Sequence, residues 1–301
     1  MSKPRSKLFS KLQLMRPANM VTAVADIIAG VAIVGFLTPQ VWTSDLFFDI
    51  ILLLVSTAGL YSGGIVYNDV FDYDQDKINR PERVLPSGRL TLGQAKLLGG
   101  QLFAIGVVAA FLVSIRCGFI AVGIVLLALL YDKFGKHHTI LGPINMGLCR
   151  GANLLLGMSI VPFVETEFLW IGLLPVVFIA AITLTAQKEA KGKNKLAIGL
   201  AMLLDFSIVV AFFLMNEFLN FSLNNAVCFI LIWYGINFYA KVRAIISNEP
   251  KIIMKAVKLG VLSLIPLNAT YVAGFSSITF AILLLCLLPI SLILAKKFPV
   301  T

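Results

Sequence analysis

Charge is what this sequence lacks most. Lys, Arg, Asp and Glu make up 13% of its 301 residues and 59% are hydrophobic, where soluble domains carry about 25% charge. So little charge excludes an ordinary water-soluble globule. Histidine is nearly absent. His137 and His138 stand side by side with no acid or cysteine at ligand spacing, which argues against a zinc site. Cys117, Cys149, Cys228 and Cys286 are scattered without paired spacing and read as apolar filler. There is no phosphate-loop glycine motif and no Ser-His-Asp pattern.

What remains is long apolar runs. A helix of about 20 apolar residues crosses a bilayer and satisfies its own backbone polar groups there. Hydropathy predicts ten spans, at 19–38, 46–67, 96–115, 118–134, 142–162, 168–187, 196–215, 225–246, 254–273 and 277–295. The third and fourth are the least clearly separated. The expectation is an all-α polytopic bundle of nine or ten spans, forming one domain over residues 19–301. The basic, amphipathic stretch 1–18 precedes it, lying at the membrane interface. No small-residue cleavage site marks that stretch as a removable signal.

Lysine and arginine set the orientation. With the N-terminus in the cytoplasm, the inner segments and tails hold 23 of the 25 basic residues; Arg116 faces out and Arg150 lies within a span. Cytoplasmic loops favour Lys and Arg, so span count and orientation support each other. The net charge of +10 then reflects this asymmetry and attraction to anionic lipid rather than a nucleic-acid partner. An integral protein of the plasma (inner) membrane is expected.

The sequence departs from its own economy once. "NDVFDYDQDKINRPERVLPSGRLT" (Asn68 to Thr91) follows the second span and packs Asp69, Asp72, Asp74, Asp76 and Glu82 among Lys77, Arg80, Arg83 and Arg89. If the span continues as a helix, Asp69, Asp72 and Asp76 share a face with Asn68 beside them, and Asp74 points away. Converging carboxylates need a cation. Oxygen ligands suit Mg²⁺, which takes one or two carboxylates and completes its shell with water and substrate phosphate. Arg80, Arg83, Lys77 and Arg89 would hold the remaining phosphate oxygens. A solvated polar loop is the competing reading.

Asn68-Asp69-x-x-Asp72-x-x-x-Asp76, followed by Asn79-Arg80-Pro81 and Arg83-x-x-Pro86-Ser87-Gly88, resembles the first aspartate motif of the UbiA superfamily of intramembrane prenyltransferases. "MRPAN" resembles the family's opening, "LYDKFGKHHTILGPINMGLCRGANLLLG" its Tyr/Lys-bearing loop and fifth helix, and "KAVKLGVLSLIPLNATYVAGF" its ninth. "MRPANMVTAVADIIAG" and the last span ending in "FPVT" look most like the UbiA-like branch associated with the Ebo gene cluster.

The resemblance implies transfer of an isoprenyl group from an isoprenyl diphosphate to an aromatic or other lipophilic acceptor in the membrane, with Mg²⁺ as cofactor and the site facing the cytoplasm. It places Asp69, Asp72 and Asp76, assisted by Asn68, on the metal. It implies Arg80, Arg83, Tyr131, Lys133, Lys188, Glu189 and Lys193 as substrate-binding residues; Asn19 and Arg150, near the cytoplasmic ends of their spans at the depth of the aspartate site, read as further ligand contacts. A second Asp-x-x-x-Asp motif is normal in the family. Here the corresponding stretch is "TLTAQKEAKGKNKLA", whose only acid is Glu189, surrounded by Lys188, Lys191, Lys193 and Lys195. Either ammonium groups replace the second metal, or the protein binds or moves a lipidic or aromatic metabolite without prenylating it.

Polar residues inside the spans are functional candidates by default. Asn19 and Asp26 share a stripe of span one, Arg150 and Asn153 of span five, and Asp205 sits in span seven. The alternative is structural pairing, for instance Asp26 with Arg150. An ion-coupled transporter resting on Asp26, Arg150 and Asp205 ranks last, because the sequence shows no clear inverted repeat.

Overall fold

The computed structural model describes residues 6–38, 43–135, 138, 141–187 and 194–298. Every regular element among them is helical. In chain order they are α1 (Lys7–Met15), α2 (Pro17–Ile33), α3 (Ser44–Phe71), α4 (Tyr73–Asn79), α5 (Leu92–Val113), α6 (Ile115–Lys133), α7 (Leu141–Met158), α8 (Thr166–Leu169) and, after a 3₁₀ turn at Trp170–Gly172, α9 (Leu173–Ala186). Then come α10 (Lys195–Phe218), α11 (Leu223–Ser247), α12 (Pro250–Leu262), α13 (Leu264–Phe275), α14 (Ile278–Leu285) and α15 (Leu287–Lys297).

All ten expected spans fall on helices. Among the described residues eight are long and apolar enough to cross a membrane alone, and α1 with α2, bent by 47°, makes a ninth. The segment α7 is not among them. It has 18 residues and carries Asn145, Arg150 and Asn153, so it needs the surrounding bundle to sit in lipid. Span one ends at Ile33 rather than 38, where Gly35 takes a positive φ of 79°. Ser114 separates the third and fourth spans by accepting a hydrogen bond from the Cys117 N–H, which caps α6.

Three late spans are broken, each for the same reason. Proline offers no N–H to the carbonyl four residues back and its ring clashes there. For Pro175, Pro266 and Pro289 those residues are Ile171, Leu262 and Leu285, which lie within or beside the three interruptions. In lipid such breaks persist only where neighbouring protein covers them, and α13 is buried along almost its whole length.

The helix α2 is the axis of the bundle, contacting α3, α7, α13 and α15. Its small residues Ala23, Ala25, Ala29 and Gly30 are buried. Without a hydrophobic drive between helices in lipid, such residues let backbones approach and pack. A Cβ on Gly30 would lie 2.5 Å from the Leu154 carbonyl oxygen, and one on Gly157 2.5 Å from that of Ile27. That close α2–α7 crossing sets Asp26 opposite Arg150 and Asn153. Large apolar side chains such as Leu97, Phe119, Leu203 and Phe206 are exposed, as a lipid-facing surface requires.

The start of α2 is equally determined. Arg16 adopts a left-handed conformation (φ 49°, ψ 62°) between α1 and α2, and Pro17 is the first residue of α2. Proline is preformed for that position. The preceding helix α1 packs its buried Leu14 in a cluster with Val66, Val84, Leu85 and Leu90, so the 80–91 segment is pinned between α1 and α3.

Candidate functional site

The acidic stretch lies where α3 ends. The helix runs to Phe71, is interrupted at Asp72 and resumes as α4. The interruption is one residue long, and the Asp76 N–H still donates to the Asp72 carbonyl at 2.8 Å. Asp69 and Asp76 are buried, Asp72 is half-buried and Asp74 is exposed. The expected single helical face is thus retained for Asp69 and Asp76 across a break.

The partners of these two carboxylates are arginines. Arg16 Nη2 donates to Asp69 Oδ1 at 2.5 Å. Arg83 Nη1 donates to Asp76 Oδ2 at 2.7 Å and lies 3.6 Å from Asp69 Oδ1. Arg83 is itself buried. Two guanidinium groups therefore offset two buried carboxylates, as low-dielectric sites require. The left-handed turn at Arg16 brings the first of them in, and the pinned 80–91 segment brings in the second.

The other basic residues of the stretch separate. Arg89 donates to Gln13 Oε1 at 2.8 Å, to the Glu82 carbonyl at 2.8 Å and to Ser87 Oγ at 2.9 Å, which ties the segment to α1. Lys77 stacks on Tyr73 at 4.3 Å, and Arg80 is exposed. Lys133 is exposed with its ammonium over the Phe134 ring. Lys188, Glu189 and Lys193 lie outside the described residues, as do Lys136 and His137. Just beyond them, buried Asn194 donates to the carbonyls of Thr185 and Gln187 at 2.9 and 2.8 Å, which draws the end of α9 to the start of α10.

Asp132 was not singled out by the sequence, which drew attention to Tyr131 and Lys133 on either side. It is 3% exposed, and its Oδ1 accepts from Asn68 Nδ2 at 2.7 Å. The signal available was an acid one turn from the end of an apolar span, the same signal that marks Asp69. Asn68 thus links the acidic stretch to α6.

Behind this layer is a cavity of about 350 Å³ lined by Arg16, Asn19, Asn68, Tyr131, Asp132 and Arg150 among its polar residues, with apolar walls from Leu60, Ile65, Ile124, Ala128, Ile179 and Leu264. Asn19, Asn68, Tyr131 and Arg150, predicted from sequence, meet here. Asp69, Asp72, Asp76, Arg80, Arg83 and Lys133 do not line it. The aspartate–arginine layer stands beside the Arg16 and Asn68 end.

At the other end of the cavity Arg150 Nε is 3.1 Å from Asp26 Oδ2. Asn153 Nδ2 donates to the same oxygen at 3.0 Å, and Asn268 Nδ2 donates to Asp26 Oδ1 at 2.8 Å. Thr57 Oγ1 donates to Asn153 Oδ1 at 2.7 Å. The pairing of Asp26 with Arg150 foreseen as structural is therefore present. Asp205 is separate: it pairs with Lys241 in a buried contact between α10 and α11.

The donor set at the acidic stretch consists of oxygen atoms from Asn68, Asp69, Asp72 and Asp76, which is chemistry that fits Mg²⁺. Among the described residues no three His, Cys, Asp or Glu side chains converge as a metal group. The carboxylates stand in their arginine-paired arrangement, and one or two of them are what a Mg²⁺ shared with a phosphate ligand takes.

The family model described as "UbiA prenyltransferase family" matches residues 28–247. Digeranylgeranylglyceryl phosphate synthase of Methanosarcina mazei is 35% identical over 186 residues, 60% of this chain and 63% of that protein. The Saccharolobus solfataricus protein of the same name is 40% identical over 109 residues, 36% of each chain. The chain thus spans less than two thirds of the length of these relatives. Among solved structures, one from work on digeranylgeranylglyceryl phosphate synthase in membranes has a TM-score of 0.68 at 23% identity, covering 91% of this chain and 99% of that one. A UbiA homologue from Archaeoglobus fulgidus bound to GPP and Mg²⁺ has a TM-score of 0.60 at 13% identity, covering 87% and 99%. At these identities the structural likeness shows the fold.

Proposed function

The chain belongs to the UbiA prenyltransferase family, and from that premise we propose that it transfers an isoprenyl group from an isoprenyl diphosphate to a lipophilic acceptor within the membrane. The observation that carries this is the layer of buried Asp69 and Asp76, paired with Arg16 and Arg83, at one end of the cavity. In this reading that end faces the cytoplasm of a plasma-membrane protein, as the lysine and arginine distribution favours. Asp69, Asp72 and Asp76, with Asn68 assisting, would hold Mg²⁺. The metal supplies neutralisation of the departing diphosphate.

The chain's own residues do the rest. Arg16 and Arg83 would offer phosphate oxygens their guanidinium groups if a cation held Asp69 and Asp76, Arg80 and Lys133 would add charge, and the resemblance assigns Lys188 and Lys193 the same task. The C1–O bond of the donor breaks with its electron pair leaving on diphosphate, the acceptor bonds to C1, and the acceptor loses a proton. Asp132, which lines the cavity, is positioned to take it. The apolar walls exclude water from the developing cation. Within the family, "MRPANMVTAVADIIAG" and the C-terminal span favour the branch associated with the Ebo gene cluster, the finer part of this proposal.

Two observations favour a second reading, in which the protein binds or moves a lipidic or aromatic metabolite without transfer. No three-ligand acidic group is formed among the described residues, and the second aspartate motif is missing. The test uses purified protein in nanodiscs. Geranyl, farnesyl and geranylgeranyl diphosphates are added with Mg²⁺ and a lipid and aromatic-acceptor extract, and diphosphate and prenylated product are followed by mass spectrometry. Turnover abolished by Asp69→Ala and by omission of Mg²⁺ supports the transferase. Mg²⁺-dependent donor binding without turnover on any acceptor supports the second reading.

A further inference from the structure

Arg150 is 6% exposed, and Nη1 and Nη2 are both buried with no hydrogen-bond acceptor. A guanidinium has five donors, and leaving buried donors unpaired is costly. Its Nε lies 3.1 Å from Asp26 Oδ2 as an ion pair without a well-formed hydrogen bond, while Asp26 accepts from Asn153 and Asn268. Arg150 lines the cavity, with its Cζ 5.7 Å from the Tyr61 ring centre. Tyr61 precedes Asn68 by two helical turns, so this end lies about 10 Å along α3 from the Asn68 end. A fixed fork whose two terminal nitrogens lack acceptors, deep in a cavity with apolar walls, is a recognition element for a ligand's oxygen atoms.

The charge of that ligand follows from the pair. Asp26 is the counter-ion of Arg150, and the cavity's other cation, Arg16, is paired with Asp69; Tyr61, Asn153 and Leu264 beside Arg150 are uncharged. An anion seated on the Nη atoms would be a buried charge without a counter-ion, which low-dielectric surroundings penalise. An uncharged hydroxyl, carbonyl or ester oxygen accepts from the two Nη atoms without that cost.

We propose that Arg150 is the acceptor-recognition residue and that the acceptor presents an uncharged oxygen function to it, not a carboxylate or phosphate. The inference rests on the transferase reading, and it departs from the phosphate-bearing product in the relatives' name. A phenolic ester and a glycerol ether carry the same oxygen chemistry, so both are tested.

Full-length protein in nanodiscs is titrated with two matched pairs, methyl 4-hydroxybenzoate against 4-hydroxybenzoate, and 1-O-hexylglycerol against its phosphate. Binding of farnesyl diphosphate with Mg²⁺ is measured in parallel. In at least one pair the neutral member should bind about tenfold more tightly than the anion, the scale of one well-made hydrogen-bonded contact. Arg150→Lys keeps a cation beside Asp26 but loses the fork, and should erase that preference while farnesyl diphosphate binding persists. If Arg150→Lys does not fold, Asp26→Asn with Arg150→Gln removes the fork and leaves no charge unpaired, with the same loss expected. Equal or tighter binding of the anions, retention of the preference in the variants, or no binding by either pair overturns the proposal. Donor binding with no acceptor binding sinks this inference alone. Neutral-ligand binding with no donor binding keeps Arg150 as a site for uncharged oxygen but sinks the transferase reading, and with it the acceptor role.

Discussion

Arg83 bridges two carboxylates that lie on different helices, 2.7 Å from Asp76 Oδ2 and 3.6 Å from Asp69 Oδ1. Seven residues separate Arg83 from Asp76, and the left-handed Gly88 (φ 74°) lets the chain turn back toward α1 beyond it. The bridge gives both carboxylates a cationic neighbour before any ligand arrives.

Removing that bridge should make stability depend on divalent cation. Arg83→Gln leaves Asp76 unpaired in a buried position, a loss on the order of 3 kcal/mol for a broken buried pair. Thermal unfolding in nanodiscs should show a lower Tm than wild type, and Mg²⁺ should raise the variant's Tm more than the wild type's. An equal Mg²⁺ response in both proteins would contradict the bridge as the neutralising element.

Asn68 and Asp132 should act as one unit. Asn68→Ala, Asp132→Asn and the double variant form a cycle with a coupling energy of about 1–3 kcal/mol, as expected for hydrogen-bonded neighbours, one of them charged. Both singles should reduce turnover and the double should be little worse than either. Additive losses would mean that the two residues serve separate steps.

The α2–α7 crossing should tolerate no side chain. Gly157→Ala places a Cβ 2.5 Å from the Ile27 carbonyl oxygen, and backbone atoms must move apart. The expected cost is about 1–3 kcal/mol, read as a lower Tm. Acceptor binding should weaken with it, because Asn153 and Arg150 shift relative to Asp26. Gly123→Ala, which meets nothing within 4 Å, is the control and should leave both unchanged.

Asp205 and Lys241 should prove structural. The pair is buried and does not line the cavity. Lys241→Met alone should destabilise by roughly 3–5 kcal/mol, whereas Asp205→Leu with Lys241→Met should be near wild type, since replacing both partners removes the desolvation cost. Turnover by the double variant should persist. Its loss, with Tm retained, would give this pair a functional role and revive ion coupling.

Much of this was legible in the chain alone. Hydropathy is a local property, so the apolar spans emerge from any window of sequence, and prolines mark where they break. The acidic stretch at Asn68–Asp76 stood out because charge is scarce elsewhere, and its order of residues carried the family resemblance. What the chain did not state is which side chains meet. Asn68 and Asp132 are 64 residues apart, Asp26 and Asn153 127, and Asp26 and Asn268 242. A helix fixes the phase of each residue on its own surface, but not which neighbour that surface faces. Glycine-to-backbone contacts at Gly30 and Gly157 and the left-handed turn at Arg16 make that choice. With the pinned 80–91 segment they turn Arg16 and Arg83 onto the aspartates, where sequence reasoning had expected metal, and they leave the terminal nitrogens of Arg150 without an acceptor beside a cavity.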